Sequence, residues 1–91
     1  MKFIQDRYFN FYNLDKLIRI RIAHHMRYSN EEEGVTGYEV AANFSDIPDF
    51  NVSFSKIFDS IDEATERMKK IIGAIINVRA DDCGVLRYGE Y

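Results

Sequence analysis

The segment Ser60 to Val78, SIDEATERMKKIIGAIINV, constrains the fold more than any other stretch of the chain. Ile61, Ala64, Met68, Ile71, Ile72 and Ile75 recur at spacings of three and four, which gathers them into one apolar stripe on a helix of 3.6 residues per turn. Ser60 followed by Glu63 has capping-box spacing, in which hydroxyl and carboxylate satisfy the first-turn amides. Asp62, Glu63 and Glu66 lie near the positive end of the helix dipole, with Lys69 and Lys70 further along. Glu66 and Lys70, four apart, are expected to pair on the wet face. Gly73 interrupts the stripe at a cost of about 1 kcal/mol against alanine, and close approach to a sheet is the expected reason. One apolar stripe cannot face water, so the rest of the chain must supply a surface for it to cover.

That surface reads as four strands. Lys2 to Tyr12, KFIQDRYFNFY, alternates, with Phe9 and Phe11 on one face and Tyr8 and Tyr12 on the other. After a turn at Asn13–Lys16, Leu17 to Ala23 sets Ile18, Ile20 and Ile22 against Arg19 and Arg21, the pattern of a half-buried antiparallel strand. Ser29 to Gly37, SNEEEGVTG, reads as a loop. Tyr38 to Phe44 alternates again, Ser45 to Asp49 reads as a proline turn, and Asn51 to Phe58 is a fourth strand whose end is ambiguous at Ile57 and Phe58. The expectation is an α+β domain over residues 1–78: a four-stranded antiparallel sheet in β-β-β-β-α order, with one C-terminal amphipathic helix packed on one face. The inward side would carry Phe9, Phe11, Ile18, Ile20, Ile22, Val40, Ala42, Phe44, Val52 and Phe54. Residues 79–91 read as an irregular tail in which Gly84 to Tyr88 has the length for a short edge strand.

Ninety-one residues make one domain with a modest core. A single cysteine, Cys83, cannot form an internal disulfide. No apolar leader precedes the first strand and no run approaches the length of a membrane helix, so the expectation is a cytoplasmic protein. The net charge of −3 hides a division into three blocks. Residues 1–30 hold six basic and two acidic residues, residues 31–66 one basic and ten acidic, and residues 67–91 five basic and three acidic. A basic block followed by a strongly acidic one can present patches of both signs.

Few residues carry chemistry. His24 and His25 are adjacent, so on a strand they point to opposite faces and cannot jointly hold one ion. Cys83 follows Asp81 and Asp82, whose charge disfavours a thiolate. No nucleotide-binding, metalloprotease, EF-hand or nucleophile-elbow motif occurs. The expectation is therefore a protein that is not an enzyme and that uses no cofactor and no metal. Two surfaces stand out for binding. Arg19 and Arg21, with Tyr8 and Tyr12, would share one wet sheet face, where basic groups interleaved with rings suit single-stranded nucleic acid or a protein partner; alternatively the arginines pair across strands with Glu39. Glu31, Glu32 and Glu33 form an acidic loop.

No family is identified by a specific motif. As a class, small acidic single-domain proteins without a catalytic cluster resemble phage-encoded inhibitors of host defence, anti-CRISPR proteins among them. The resemblance implies action by occupying a surface, where clustered carboxylates (here Glu31, Glu32, Glu33, Glu39, Asp46 and Asp49) compete with phosphates. The expected function is thus a small protein-binding module presenting the acidic loop and the Arg/Tyr face to a larger protein or nucleoprotein partner. The alternatives are a nucleic-acid-binding protein using the Arg/Tyr face and a small-ligand or nucleotide-binding oligomer. A sheet with one covered face and open edges also favours a homodimer.

Overall fold

The computed structural model describes residues 2–28, 33–79 and 84–91. These residues form strands β1 (Lys2–Gln5), β2 (Phe11–Asn13), β3 (Leu17–Tyr28), β4 (Glu33–Phe44), β5 (Ile47–Ser53) and β6 (Gly84–Leu86), and a helix, α1 (Ile61–Arg79). The chain is α+β, but the single four-stranded sheet expected from the alternation is replaced by two three-stranded sheets. One has the order β2-β1-β6, with β1 antiparallel to β2 and parallel to β6. The other is an antiparallel meander, β3-β4-β5.

The second sheet exists because the run Lys2 to Tyr12 is not one strand. Asp6 breaks it. Its carboxylate, 2% exposed, accepts hydrogen bonds from the amides of Tyr8 (2.9 Å) and Asn10 (2.8 Å) and from the Tyr12 hydroxyl (3.0 Å). An aspartate that captures nearby amides offers the backbone a turn in place of a ladder. Phe9 takes the left-handed conformation, φ 67°, at the reversal. The turn inverts the expected facing. Phe9 and Phe11, read as inward, are exposed, and Tyr12, read as lying with Tyr8 on the wet face, stacks on Phe44 with centroids 5.0 Å apart.

β3 and β4 pair along nearly their whole length, from Leu17–Phe44 to Tyr28–Glu33. A register shift between Leu17 and Arg19 leaves Ile18 59% exposed, where strict alternation placed it in the core. β4 begins at Glu33, so Gly37 is a strand residue and not part of a loop. An added Cβ there would run into Ile57 Cγ2 and lie 3.1 Å from the Phe58 carbonyl oxygen. Only a bare backbone lets the 54–58 segment close on the strand, where Tyr38 and Phe58 exchange backbone hydrogen bonds of 2.8 and 2.6 Å. β5 starts earlier than expected, at Ile47, and ends at Ser53; the turn is Ser45–Asp46, and Pro48 sits in an edge strand, where a missing amide is tolerated. Beyond it Phe54 and Phe58 turn inward while Ile57 faces out.

Ser60 caps α1, its hydroxyl accepting from the Glu63 amide at 3.2 Å. Ala64, Ile71 and Ile75 are buried, with Met68, Ala74 and Val78 packed beside them; Ile61 and Ile72 fall outside the buried stripe. Glu66 meets Lys69 (3.4 Å), not Lys70. Gly73 does not approach the sheet, since a Cβ there would meet nothing within 4 Å. The helix lies against β3, β4 and β6 and so bridges both sheets. Between them one core unites Ile4, Leu14, Val40, Phe44, Phe54 and Leu86 with the helix stripe.

The last residues are part of this core. Tyr91 is buried and its hydroxyl donates to the Gln5 carbonyl (2.6 Å), while the Tyr88 amide donates to Gln5 Oε1 (3.1 Å). No helix among the described residues is long and apolar enough to cross a membrane.

Candidate binding site

The outer face of the β3-β4-β5 sheet carries a set of polar side chains linked by hydrogen bonds. Cross-strand registers place Arg19 beside Asn43, Arg21 beside Ala41, and Ala23 beside Glu39. Arg19 Nε donates to Asn43 Oδ1 (2.8 Å), and Asn43 Nδ2 donates to Asn51 Oδ1 (2.8 Å) and the Phe50 carbonyl (3.3 Å). Asn43 is buried, so this chain fixes the Arg19 guanidinium at one end. Further along, His25 Nε2 lies 2.7 Å from Glu39 Oε1, and the Ser53 hydroxyl donates to Glu39 Oε2 (2.7 Å). Between these two rows Arg21 Nε is buried and has no hydrogen-bond acceptor among the described residues.

The Ser53–Glu39–His25 constellation contains the residue types of a hydrolytic triad in a different order. The serine hydroxyl donates to the carboxylate, so the imidazole is not held against the serine as it is in a hydrolytic triad. It is a cross-strand tie. His24 is on the opposite face, exposed and edge-on to Tyr38 at 5.1 Å. Among the described residues no group of three His, Cys, Asp or Glu could hold a metal ion; Asp81, Asp82 and Cys83 lie outside them.

The residues singled out in the sequence do not form one surface. Arg19, Arg21 and Glu39 share the outer face, though Glu39 is matched to His25 and not to the arginines. Tyr8 sits on the β1–β2 turn, exposed, under the Arg7 guanidinium at 5.7 Å. That turn reaches the opposite edge of the sheet, where the Arg7 amide donates to the Ser53 carbonyl (2.9 Å). Tyr12 is half-buried against the core, and its phenol is pushed up to about 12 by burial first and then by the Asp6 carboxylate it donates to. Glu33 pairs with Tyr28 at the start of β4, and Glu31 and Glu32 lie outside the described residues.

A second site has no counterpart in the sequence reading. A cleft of about 230 Å³ opens between the 54–58 segment, α1 and the chain after β6. Phe54, Lys56, Phe58, Arg67, Tyr88 and Tyr91 line it. Lys56 Nζ lies over the Phe58 ring at 5.3 Å, and Arg67 donates to the main-chain oxygen of Tyr91 (2.8 Å). Burial raises the Tyr91 phenol well above its ordinary value, with the nearby Tyr88 adding to the shift. No spacing rule links residues this far apart in the chain, and the rings at Tyr88 and Tyr91 were the one available signal.

No protein family, curated protein or solved structure matches the chain.

Proposed function

We propose that the chain is a non-catalytic binding module that engages a larger protein or nucleoprotein through the β3–β4 ribbon. The observation that carries this reading is the ribbon's reach. Twelve residues at the rise of a strand span about 40 Å, in a molecule 53 × 25 × 19 Å in extent. Leu17, Ile20, Val40, Ala42 and Phe44 tie one half of the ribbon to the core and the 54–58 segment closes on β4 as far as Tyr38, while the paired strands continue beyond that support to Tyr28 and Glu33. An isolated two-stranded ribbon gains little stability from itself, so such an arm is best used against a partner. The segment joining Tyr28 to Glu33 carries Glu31 and Glu32 in sequence, and the outer face carries Arg21, whose guanidinium is the type of group that pairs with a carboxylate or phosphate.

The narrower reading is an inhibitor that occupies a basic, phosphate-binding channel of a host-defence nuclease. It rests on the acidic block 31–66, with ten acidic residues against one basic, and on the class resemblance alone. Binding of nucleic acid is the competing reading. It is weakened by the separation of Tyr8 and Tyr12 from Arg19 and Arg21, because a stacking platform needs rings beside the cations.

Affinity capture by the wild-type chain, eluted in a salt gradient and compared with the triple variant Glu31→Gln, Glu32→Gln, Glu33→Gln, tests the proposal. A protein partner captured by the wild type and lost by the variant supports the acidic arm. The same partner held equally by both chains refutes it, and nucleic acid as the only captured species favours the competing reading.

A further inference from the structure

We infer that the cleft between Lys56 and Arg67 is a binding site for a small anion carrying a planar ring, such as an aryl carboxylate or aryl phosphate. This goes beyond the proposed arm contact and uses none of its residues. Three features converge on that class. First, two cationic side chains line the cleft, and neither has a side-chain carboxylate within 4 Å among the described residues. Arg67 commits one terminal nitrogen to the Tyr91 main-chain oxygen, and its other donors have no acceptor among the described residues. Second, the remaining wall is largely aromatic. Phe54, Phe58, Tyr88 and Tyr91 contribute rings, with Phe54 and Tyr88 each packed edge-on to Tyr91 at about 6 Å. A ring seated there gains burial and aromatic contact while its anionic substituent meets Lys56 and Arg67. Third, the charge balance differs between the cleft and its neighbour. Phe58 and Arg67 also border a more open groove along α1, lined in addition by Asp62, Glu63, Glu66 and Lys70. Carboxylates stand against the cations there and line no part of the cleft, which favours an anion on the Lys56 side.

The size limits the ligand. At about 230 Å³ the cleft is smaller than the roughly 300–1,000 Å³ of sites for drug-sized molecules, which suits a single ring with one charged group. The rings are also held firmly: Tyr91 by its bond to Gln5 and Tyr88 through its amide on the Gln5 side chain.

The test is titration of the full chain with phenyl phosphate and with benzoate, followed by amide chemical shifts and calorimetry. Inorganic phosphate and benzyl alcohol serve as the charge-only and ring-only controls. The expected result is saturable binding, with shifts confined to Lys56, Phe58, Arg67, Tyr88, Gly89 and their neighbours. Lys56→Gln, at an exposed position that leaves the core intact, weakens binding about five-fold or more, whereas Arg67→Lys, which keeps the charge, weakens it less than Arg67→Gln. Shifts that map elsewhere, no saturable binding, or unchanged affinity in Lys56→Gln overturn the inference. So does either control binding as tightly as the ring-bearing anions.

Discussion

Asp6 is the residue whose loss most directly tests how this fold departs from a simple meander. Its Oδ1 takes the Tyr8 and Asn10 amides and its Oδ2 takes the Tyr12 hydroxyl. Asp6→Ala removes all three acceptors at once. A hydrogen bond to a charged group contributes about 1.5–3 kcal/mol, but the two amides belong to an exposed turn and recover water in part, so about 1 kcal/mol each is appropriate. The Tyr12 hydroxyl is packed beside Phe44 and Phe54 and adds about 1–2 kcal/mol, for a total of about 3–4 kcal/mol. A chain of this length has roughly 5–14 kcal/mol to lose. Asp6→Asn behaves differently. Its carbonyl oxygen still serves both amides, and its amide nitrogen meets a hydroxyl that can turn and accept, so the cost falls to about 1 kcal/mol. Urea denaturation at neutral pH, followed by circular dichroism, measures both variants. In a cycle with Tyr12→Phe, the Asp6 and Tyr12 changes should couple by about 1 kcal/mol. If Asp6→Ala cost less than about 1 kcal/mol, or if Asp6→Asn were equally damaging, the turn would not depend on this carboxylate and the reasoning would fail.

Three other outcomes follow from the same structure. Both Tyr12, pushed up to about 12, and Tyr91, raised further, stay neutral in the folded and unfolded chains below about pH 10, so their contribution is fully present there; above it the unfolded chain ionises first, and stability falls as pH rises towards 12, with a shallower fall in Tyr12→Phe, as denaturation midpoints across that range would show. Gly73→Ala should stabilise the chain by about 1 kcal/mol, because the new methyl meets nothing within 4 Å and the helix gains propensity; a lower melting temperature would refute this. Gly37→Ala should destabilise by about 1–3 kcal/mol, since the methyl is driven into Ile57 and the Phe58 carbonyl, and an unchanged denaturation midpoint would show that the 54–58 segment is not pinned to β4.

What could be read from the sequence was local and periodic. The helix was legible from its cap and stripe because both signals lie within consecutive turns, and the buried face of β4 was legible from the alternation of Val40, Ala42 and Phe44. The errors came where one side chain overrode a period. The sequence KFIQDRYFNFY alternates well enough to be a strand, and nothing in the alternation reveals that Asp6 will collect two amides and reverse the chain. That reversal sends Tyr12 inward and Phe9 and Phe11 outward, so a single turn changes the facing of the whole segment. The β1–β6 pairing was illegible for another reason: three or four residues carry too little pattern to identify a partner about eighty positions away. The candidate sites divide along the same line. Arg19, Arg21 and Glu39 could be placed on one face from alternation, but the choice of His25 and Ser53 as partners for Glu39 depends on register and on diagonal reach across β4. The Lys56–Arg67 cleft depends on three separate elements closing together, the last of them drawn in by Tyr91. Gln5 of β1 holds both Tyr88 and Tyr91, so the closure of the cleft depends on the same β1–β6 pairing that the sequence hid.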